Sequence, residues 1–340
     1  MEIGLFSFGD ILAHPVTGVA PTAKQRMREL VEMGALAEEV GLDVFALGEH
    51  HRLDMVVSSP AVVLAAVAER TKRIKLSSAT TLLNTLDPVR VYEDFATLDL
   101  LSGERAELIV GRGSFTESWD LFGYDIKDYD ALFAEKLGLV LELNKSERVT
   151  WSGKFRSALR DAEIAPRATR ELPLWIGVGG TPQSAARAGA LGLPMSLAIL
   201  GQPARFAPFA EIHRRAAAQA GHPRPRLAVA SHGLIGDDRA QAREEFIAAW
   251  GGIMERGLPN RFPPRAIPRE YLEMEADLQG AFFAGDAKDI IAKIKWQHSV
   301  LQHDRLLLQF DWGGVPFEKV KRSIEILGTK VAPAIRKELG

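Results

Sequence analysis

Short apolar runs alternate along the chain with longer stretches whose apolar residues recur every three or four positions, the two patterns of buried strands and amphipathic helices. The runs fall at 3–8, 43–49, 74–83, 106–111, 174–179, 195–200, 227–235 and 305–310. Helical patterns lie between or after them at 23–40, 60–71, 88–101, 129–144, 182–191, 204–220, 239–256 and 317–335. A parallel connection needs a crossover of a dozen or more residues, and right-handed crossovers with every helix outside curl a sheet onto itself. Eight strands close that curl, so the pattern predicts one (β/α)8 TIM barrel domain spanning 1–340. An open doubly wound sheet shares the alternation and is the rival architecture.

Local punctuation agrees with the long-range rhythm. Pro60, Pro88 and Pro182 stand where a first helical turn begins, behind Ser59, Asp87 and Thr181 as N-caps, and Gly41, Gly192 and Gly221 follow helix ends. Two insertions interrupt the rhythm. Residues 151–170, after the fourth helix, are rich in Arg, Ala and Pro and read as an extended excursion. Residues 258–280, before the eighth strand, carry Pro259, Pro263, Pro264 and Pro268 and lead into an extra helix at 287–302. Long segments of this kind on a barrel often cover its site, so 258–280 is read as a lid.

Composition narrows the function. The chain has 340 residues, 46% of them hydrophobic and 25% charged, with a net charge of -2, which offers no basic footprint for nucleic acid. It has no Cys, so disulfides, thiolate metal sites and Cys nucleophiles are excluded. No apolar run is long enough to cross a bilayer, and the start lacks a basic segment before an apolar one; the chain reads as cytoplasmic, with no membrane partner.

In such a barrel the chemistry belongs at the C-terminal ends of the strands. The second run ends Gly48-Glu49-His50-His51. Neighbours on a strand point to opposite faces, so one of the two histidines looks into the mouth, which argues against a paired-His metal site; no metal is expected. A lone histidine there is more often a hydrogen-bonded structural residue than a catalytic one. The third run, Leu76-Ser77-Ser78-Ala79-Thr80-Thr81, places small and hydroxylated side chains where a flat ligand could approach backbone. The fourth ends Gly111-Arg112-Gly113, a guanidinium between glycines, suited to phosphate or carboxylate. The fifth ends Gly179-Gly180-Thr181-Pro182-Gln183-Ser184 and enters a helix, whose first-turn amides and hydroxyls make an anion cradle. Pro182 at the third glycine position, after the fifth strand, disfavours Rossmann-type dinucleotide binding.

Together with 59–60, 71–76, 87–90, 98–105, 121–123, 175–184, 192–194 and 331–333, these segments resemble, in order and spacing over nearly the whole chain, the bacterial luciferase-like family of flavin-dependent monooxygenases. The resemblance implies reduced FMN, supplied by a separate flavin reductase, in the barrel mouth. It also implies that FMN reacts there with O2 and that a C4a-(hydro)peroxyflavin oxygenates a small organic substrate. It places the phosphate on Arg112, Gly180, Thr181 and Ser184, with an amide of Gly179 or Gly180, and a non-proline cis peptide at Ala79-Thr80 beside the flavin. It makes His50 the catalytic proton-transfer group. Gly111 departs from the luciferase pattern, which has cysteine there, so the room around the flavin differs. A homodimer is implied. The alternatives are hydride transfer with F420, whose longer acidic tail calls for more basic groups than Arg112, and a flavin-binding protein without turnover.

Overall fold

The computed structural model describes residues 1–257 and 263–339. Its ring of strands is β1 (Glu2–Ser7), β2 (Val44–Leu47), β3 (Lys75–Ser78), β5 (Ala106–Gly111), β8 (Leu174–Val178), β9 (Met195–Ala198), β10 (Leu227–Ile235) and β12 (Arg305–Gln309). Each pairs in parallel with its neighbours. β10 joins β9 through Leu227 and Met195 and joins β12 through Ala228 and Arg305, and β12 returns to β1, so the ring is closed. The doubly wound alternative is thereby excluded, and all eight apolar runs are barrel strands. The two-residue β4 (Thr81–Leu82) continues the third run and pairs with β5.

The helices α1 (Ala23–Glu39), α2 (Pro60–Arg70), α3 (Pro88–Ser102), α5 (Tyr129–Lys145), α6 (Pro182–Ala190) and α7 (Ala207–Gln219) follow the expected pattern; the short α4 (Glu117–Phe122) precedes α5. Asp87 caps α3 by accepting from the amides of Val89 and Arg90, and Thr22 caps α1 by accepting from Gln25. The principal core lies between strands and helices, where Leu30, Phe45, Leu64, Val110, Ile176 and Leu308 are buried. Inside the barrel a smaller group, Phe6, Val44, Ala46 and Leu307, fills the axis.

Two features differ from the sequence pattern. Residues 151–170 contain the second strand of an antiparallel hairpin, β6 (Arg148–Trp151) with β7 (Leu159–Glu163), rather than an unpaired excursion. Helix α10 (Ala287–Leu301), read as extra, packs between α7 and the closing helical segment, against Leu327–Val331 and α12 (Ala332–Leu339), which follow α11 (Phe317–Ile326), the place of the seventh outer helix. The insertion is instead α8 (Arg239–Arg256), with α9 (Arg269–Ala276) and β11 (Phe283–Gly285) beyond it. β10 outruns β12, and its last residues pair with β11, so α8 starts above the ring. Its later turns reach the mouth: Trp250 lies on His232, and Arg256 donates to the carbonyl of Ala13. A strand-helix alternation cannot say which of two consecutive helices lies beside the barrel, because both bury an apolar face. Of the segment read as a lid, 258–262 lies outside the described residues. The remainder includes α9, which buries Leu272 and Ala276.

The bottom of the barrel is closed by charge. Arg305, fully buried, donates to both carboxylate oxygens of Glu107 (2.5 and 3.1 Å) and to Glu2 (2.7 Å), with its guanidinium 4.5 Å from the Trp175 ring centre. Removing one partner of such a group leaves charge without compensation. Glu107→Ala is expected to lower unfolding free energy by roughly 3 kcal/mol, read from urea denaturation; an unchanged midpoint would mean that Glu2 alone satisfies Arg305.

Two buried histidines set an acid limit. Burial pushes His232 and His303 each down to about 3 from 6.5. Between those values the unfolded chain binds more protons than the folded one, so stability falls as pH drops below about 6.5 and goes on falling toward 3. The expected slope is about 1.4 kcal/mol per pH unit per histidine. His303→Leu should remove one histidine's share of that slope in stability measured at a series of pH values.

Candidate active site

The second strand's end separates its histidines. The amide of Glu49 donates to the Thr80 carbonyl and that of His50 to the Val57 carbonyl (2.8 Å), which fixes the backbone beyond β2. His51 then pairs with Glu49 at 2.8 Å, whose other oxygen accepts from the Leu82 amide (3.0 Å). His50 turns the other way. Its ring meets Phe8 and Phe115 edge-on at 5.0 and 4.9 Å, and its Nδ1 stands 3.5 Å from Oε1 of Glu117. The two rings therefore point to different sides, His50 toward Phe8 and Phe115 and His51 toward Phe122. Burial would raise the Glu117 carboxyl, but His50, its own backbone amide and Arg52 outweigh that and hold it below the usual range.

The Ala79-Thr80 peptide is cis. Thr80 occupies the space that Gly111 and Gly177 leave: a Cβ on Gly111 would lie 2.6 Å from the Thr80 hydroxyl, and one on Gly177 would lie 2.5 Å from its methyl. The glycine at 111 thus makes room for a threonine of this chain, not for a ligand. Ala79 lies partly buried against the inner apolar group. Gly179 is different, because a Cβ there would meet nothing within 4 Å, so the backbone at the end of β8 faces open space.

The residues expected to cradle an anion come together from three parts of the chain. Arg112, beyond β5, donates to the hydroxyls of Ser184 (2.7 Å) and Thr181 (3.1 Å), which are themselves 2.7 Å apart. Thr181 occupies the N-cap of α6 without capping it; its hydroxyl serves Arg112 instead. The guanidinium stacks 4.7 Å from the Tyr129 ring centre, and Tyr129 donates to the Gly113 carbonyl (2.7 Å). A fourth group occupies the guanidinium's other edge: Asp130, largely exposed, pairs with it at 2.5 Å. Gly180 has φ of +119°, a conformation suited to glycine, and its open side approaches Phe206 and Phe209.

Across the mouth the wall is aromatic. Phe8, Trp312, Trp250 and His232 form a chain of ring contacts, with His232 5.0 Å from Trp250 and 5.8 Å from Trp312. Asp311 secures this wall, accepting from Ser7 (2.5 Å) and Gln309 (3.0 Å), while Ser7 in turn accepts from the Gly9 amide (2.9 Å). Asp10, buried next to it, is pushed up to about 7 by burial and by Asp311, with Arg26 opposing. These carboxylates tie the ends of β1 and β12 together.

His50, Arg112, Thr181 and Ser184 lie beyond the ends of β2, β5 and β8, while Glu117, Tyr129, Asp130 and the aromatic wall beside them did not stand out in the sequence. Glu117, Tyr129 and Asp130 all follow β5 in the segment leading into α5, and an acidic residue in a first helical turn is a common surface feature. Only their packing marks them. Among the described residues, no cluster of three or more His, Asp or Glu side chains is placed to hold a metal, and no helix is long and apolar enough to cross a membrane.

The fold is a closed parallel barrel that gathers Arg112, Thr181 and Ser184 at the end of its fifth strand and carries His50 beyond the end of its second. The model of the luciferase-like monooxygenases matches residues 1–297, and the chain belongs to that family. A relative from Streptomyces nodosus subsp. asukaensis, 4-hydroxyprotoasukamycin monooxygenase, is 27% identical, over 96% of this chain and 91% of its own. The crystal structure of the monooxygenase RslO1 from Streptomyces bottropensis superposes with a TM-score of 0.86 at 22% identity, covering 98% of this chain and 99% of that one. The oxygenating constituent of 3,6-diketocamphane monooxygenase of Pseudomonas putida, in complex with FMN, gives 0.81 at 19% identity over 98% of each chain. An F420-dependent secondary alcohol dehydrogenase with an F420-acetone adduct gives 0.75 at 19% identity, over 98% of this chain and 99% of its own. At these identities the superpositions establish the fold, and they include both FMN and F420 proteins.

Asp130 holds negative charge against the cradle's guanidinium, so a bound anion meets it as a competitor. Asp130→Asn is expected to tighten binding of inorganic phosphate about twofold to fivefold, the scale of an exposed ion pair. Calorimetric titration at low salt measures this; weaker binding would show that Asp130 orients Arg112 instead.

Proposed function

We propose that this protein is a flavin-dependent monooxygenase that takes reduced FMN and O2 and oxygenates a small organic substrate. The observation that carries the reading is the cradle: one guanidinium and two hydroxyls converge beside the open backbone of Gly179, a donor set sized for a single phosphate. Arg112, Thr181 and Ser184 would hold the FMN phosphate, with the amides of Gly179 and Gly180 beside it, and the flavin ring would lie toward Ala79 and Thr80. When bound, reduced FMN supplies the electrons that activate O2. The chain's own part is to bind, shield and move protons. Phe8, Phe115 and Trp312 keep water from the space beside His50, and His50 transfers the proton that oxygen reduction and insertion demand. A separate reductase would deliver the reduced flavin to a homodimer of this chain.

Hydride transfer with F420 is the second reading, supported by the F420 proteins of the same fold. The tail of F420 is longer and more acidic than a phosphate, whereas one charge of the cradle is already countered by Asp130. That balance favours FMN.

Anaerobic titration with reduced FMN and, separately, reduced F420 decides between them. FMN is expected to bind more tightly, and Arg112→Ala to weaken it about 10-fold to 100-fold, as for the loss of a charge-assisted hydrogen bond. His50→Ala should bind FMN normally and slow oxygenation by about 10²-fold to 10⁴-fold. Preference for F420, with no reaction on mixing with oxygen, would move the protein to hydride transfer. Binding of FMN with no oxidation chemistry would make it a flavin carrier.

A further inference from the structure

We infer that Glu117 is the positioning residue for His50: its carboxylate faces Nδ1 and holds the ring proton on that nitrogen, which leaves Nε2 unprotonated and directed away from Glu117. The use of Nε2 for proton transfer rests on the proposed function; the tautomer itself does not.

Three observations support this. Nδ1 of His50 and both carboxylate oxygens of Glu117 are buried, and none completes a hydrogen bond, with each other or with another group. They face one another at 3.5 Å, with side chains only 9% and 10% exposed. At that distance the contact is electrostatic rather than a formed hydrogen bond, and in a site of low dielectric the carboxylate charge decides where the imidazole proton sits. The ring has little freedom to turn, because Phe8 and Phe115 meet it edge-on at 88° and 89°.

The charges around the pair favour the same state. Glu117 is held below the ordinary carboxylate range, so it is an anion and can only accept. Arg52, which contributes to that, lies 5.2 Å from the Phe115 ring centre and is paired with Asp54 at 2.6 Å, so it supports Glu117 without replacing His50 as its neighbour. The next histidine has its own carboxylate, since His51 is committed to Glu49. An acceptor-only neighbour at Nδ1 makes that nitrogen the donor, and Nε2 is then the basic nitrogen. In water the neutral imidazole of histidine prefers the opposite arrangement, with the proton on Nε2, so the assigned tautomer needs the carboxylate. Glu117 sits in α4, on the segment that begins with Arg112. One stretch of chain thus supports both the anion cradle and the histidine.

The test is long-range proton–nitrogen correlation NMR on 15N-labelled, flavin-free protein, at a pH high enough for the His50 ring to be neutral. His50→Gln assigns the signals. In the native protein Nδ1 is expected at a protonated shift and Nε2 at an unprotonated one. In Glu117→Ala the two should exchange character, whereas Glu117→Asp should keep the native pattern. A native His50 with its proton on Nε2, or a pattern that Glu117→Ala leaves unchanged, would overturn the inference. If Glu117→Ala does not fold, Glu117→Met keeps the side-chain bulk and serves the same comparison, and the native spectrum alone can refute the assignment. Because no flavin is present, failure here is distinct from failure of the FMN reading, which the titrations above decide.

Discussion

The structure depends on closure of the parallel sheet. Each of the eight ring strands has a partner on both sides, with β10 bridging β9 and β12, so the ring has no open edge. Closure also points all eight strand ends the same way. Residues far apart in the chain, such as Phe8, His50, Arg112, Thr181 and Trp312, are thereby brought around one opening, with the buried Arg305–Glu107–Glu2 group at the other end.

Division of labour at the mouth follows from side-chain size. Glycines at 111 and 177 admit the side chain of Thr80, and the open backbone at Gly179 lies beside the cradle. The strands opposite carry Phe8 and His232, with Trp312 just beyond, and α8 adds Trp250 from above. One half of the mouth is therefore polar and open while the other is apolar and filled.

Much of the site was readable residue by residue because its members sit at strand ends. A polar residue that closes an apolar run is conspicuous, and that is how His50, Arg112, Thr181 and Ser184 are found. Glu117 and Asp130 were not readable, because each begins a helix and looks like any acidic first-turn residue. Asp130 matters through its place on Arg112, and Glu117 through its burial against His50. The aromatic wall was hidden for another reason: Trp250 and His232 lie in an ordinary helix and an ordinary strand, and only the path of α8 over the mouth joins them.

What the sequence determined by itself is the architecture and the order of its elements. Apolar runs of strand length, amphipathic stretches of crossover length, and Pro and Gly at the turns are local properties, and eight repeats of them have few ways to pack. The tertiary structure decided which of α8 and α10 stands beside the barrel, that 148–163 folds back as a hairpin, and which charges meet. Those outcomes depend on contacts between segments distant in the chain. Periodicity records that a residue is buried, not what it is buried against.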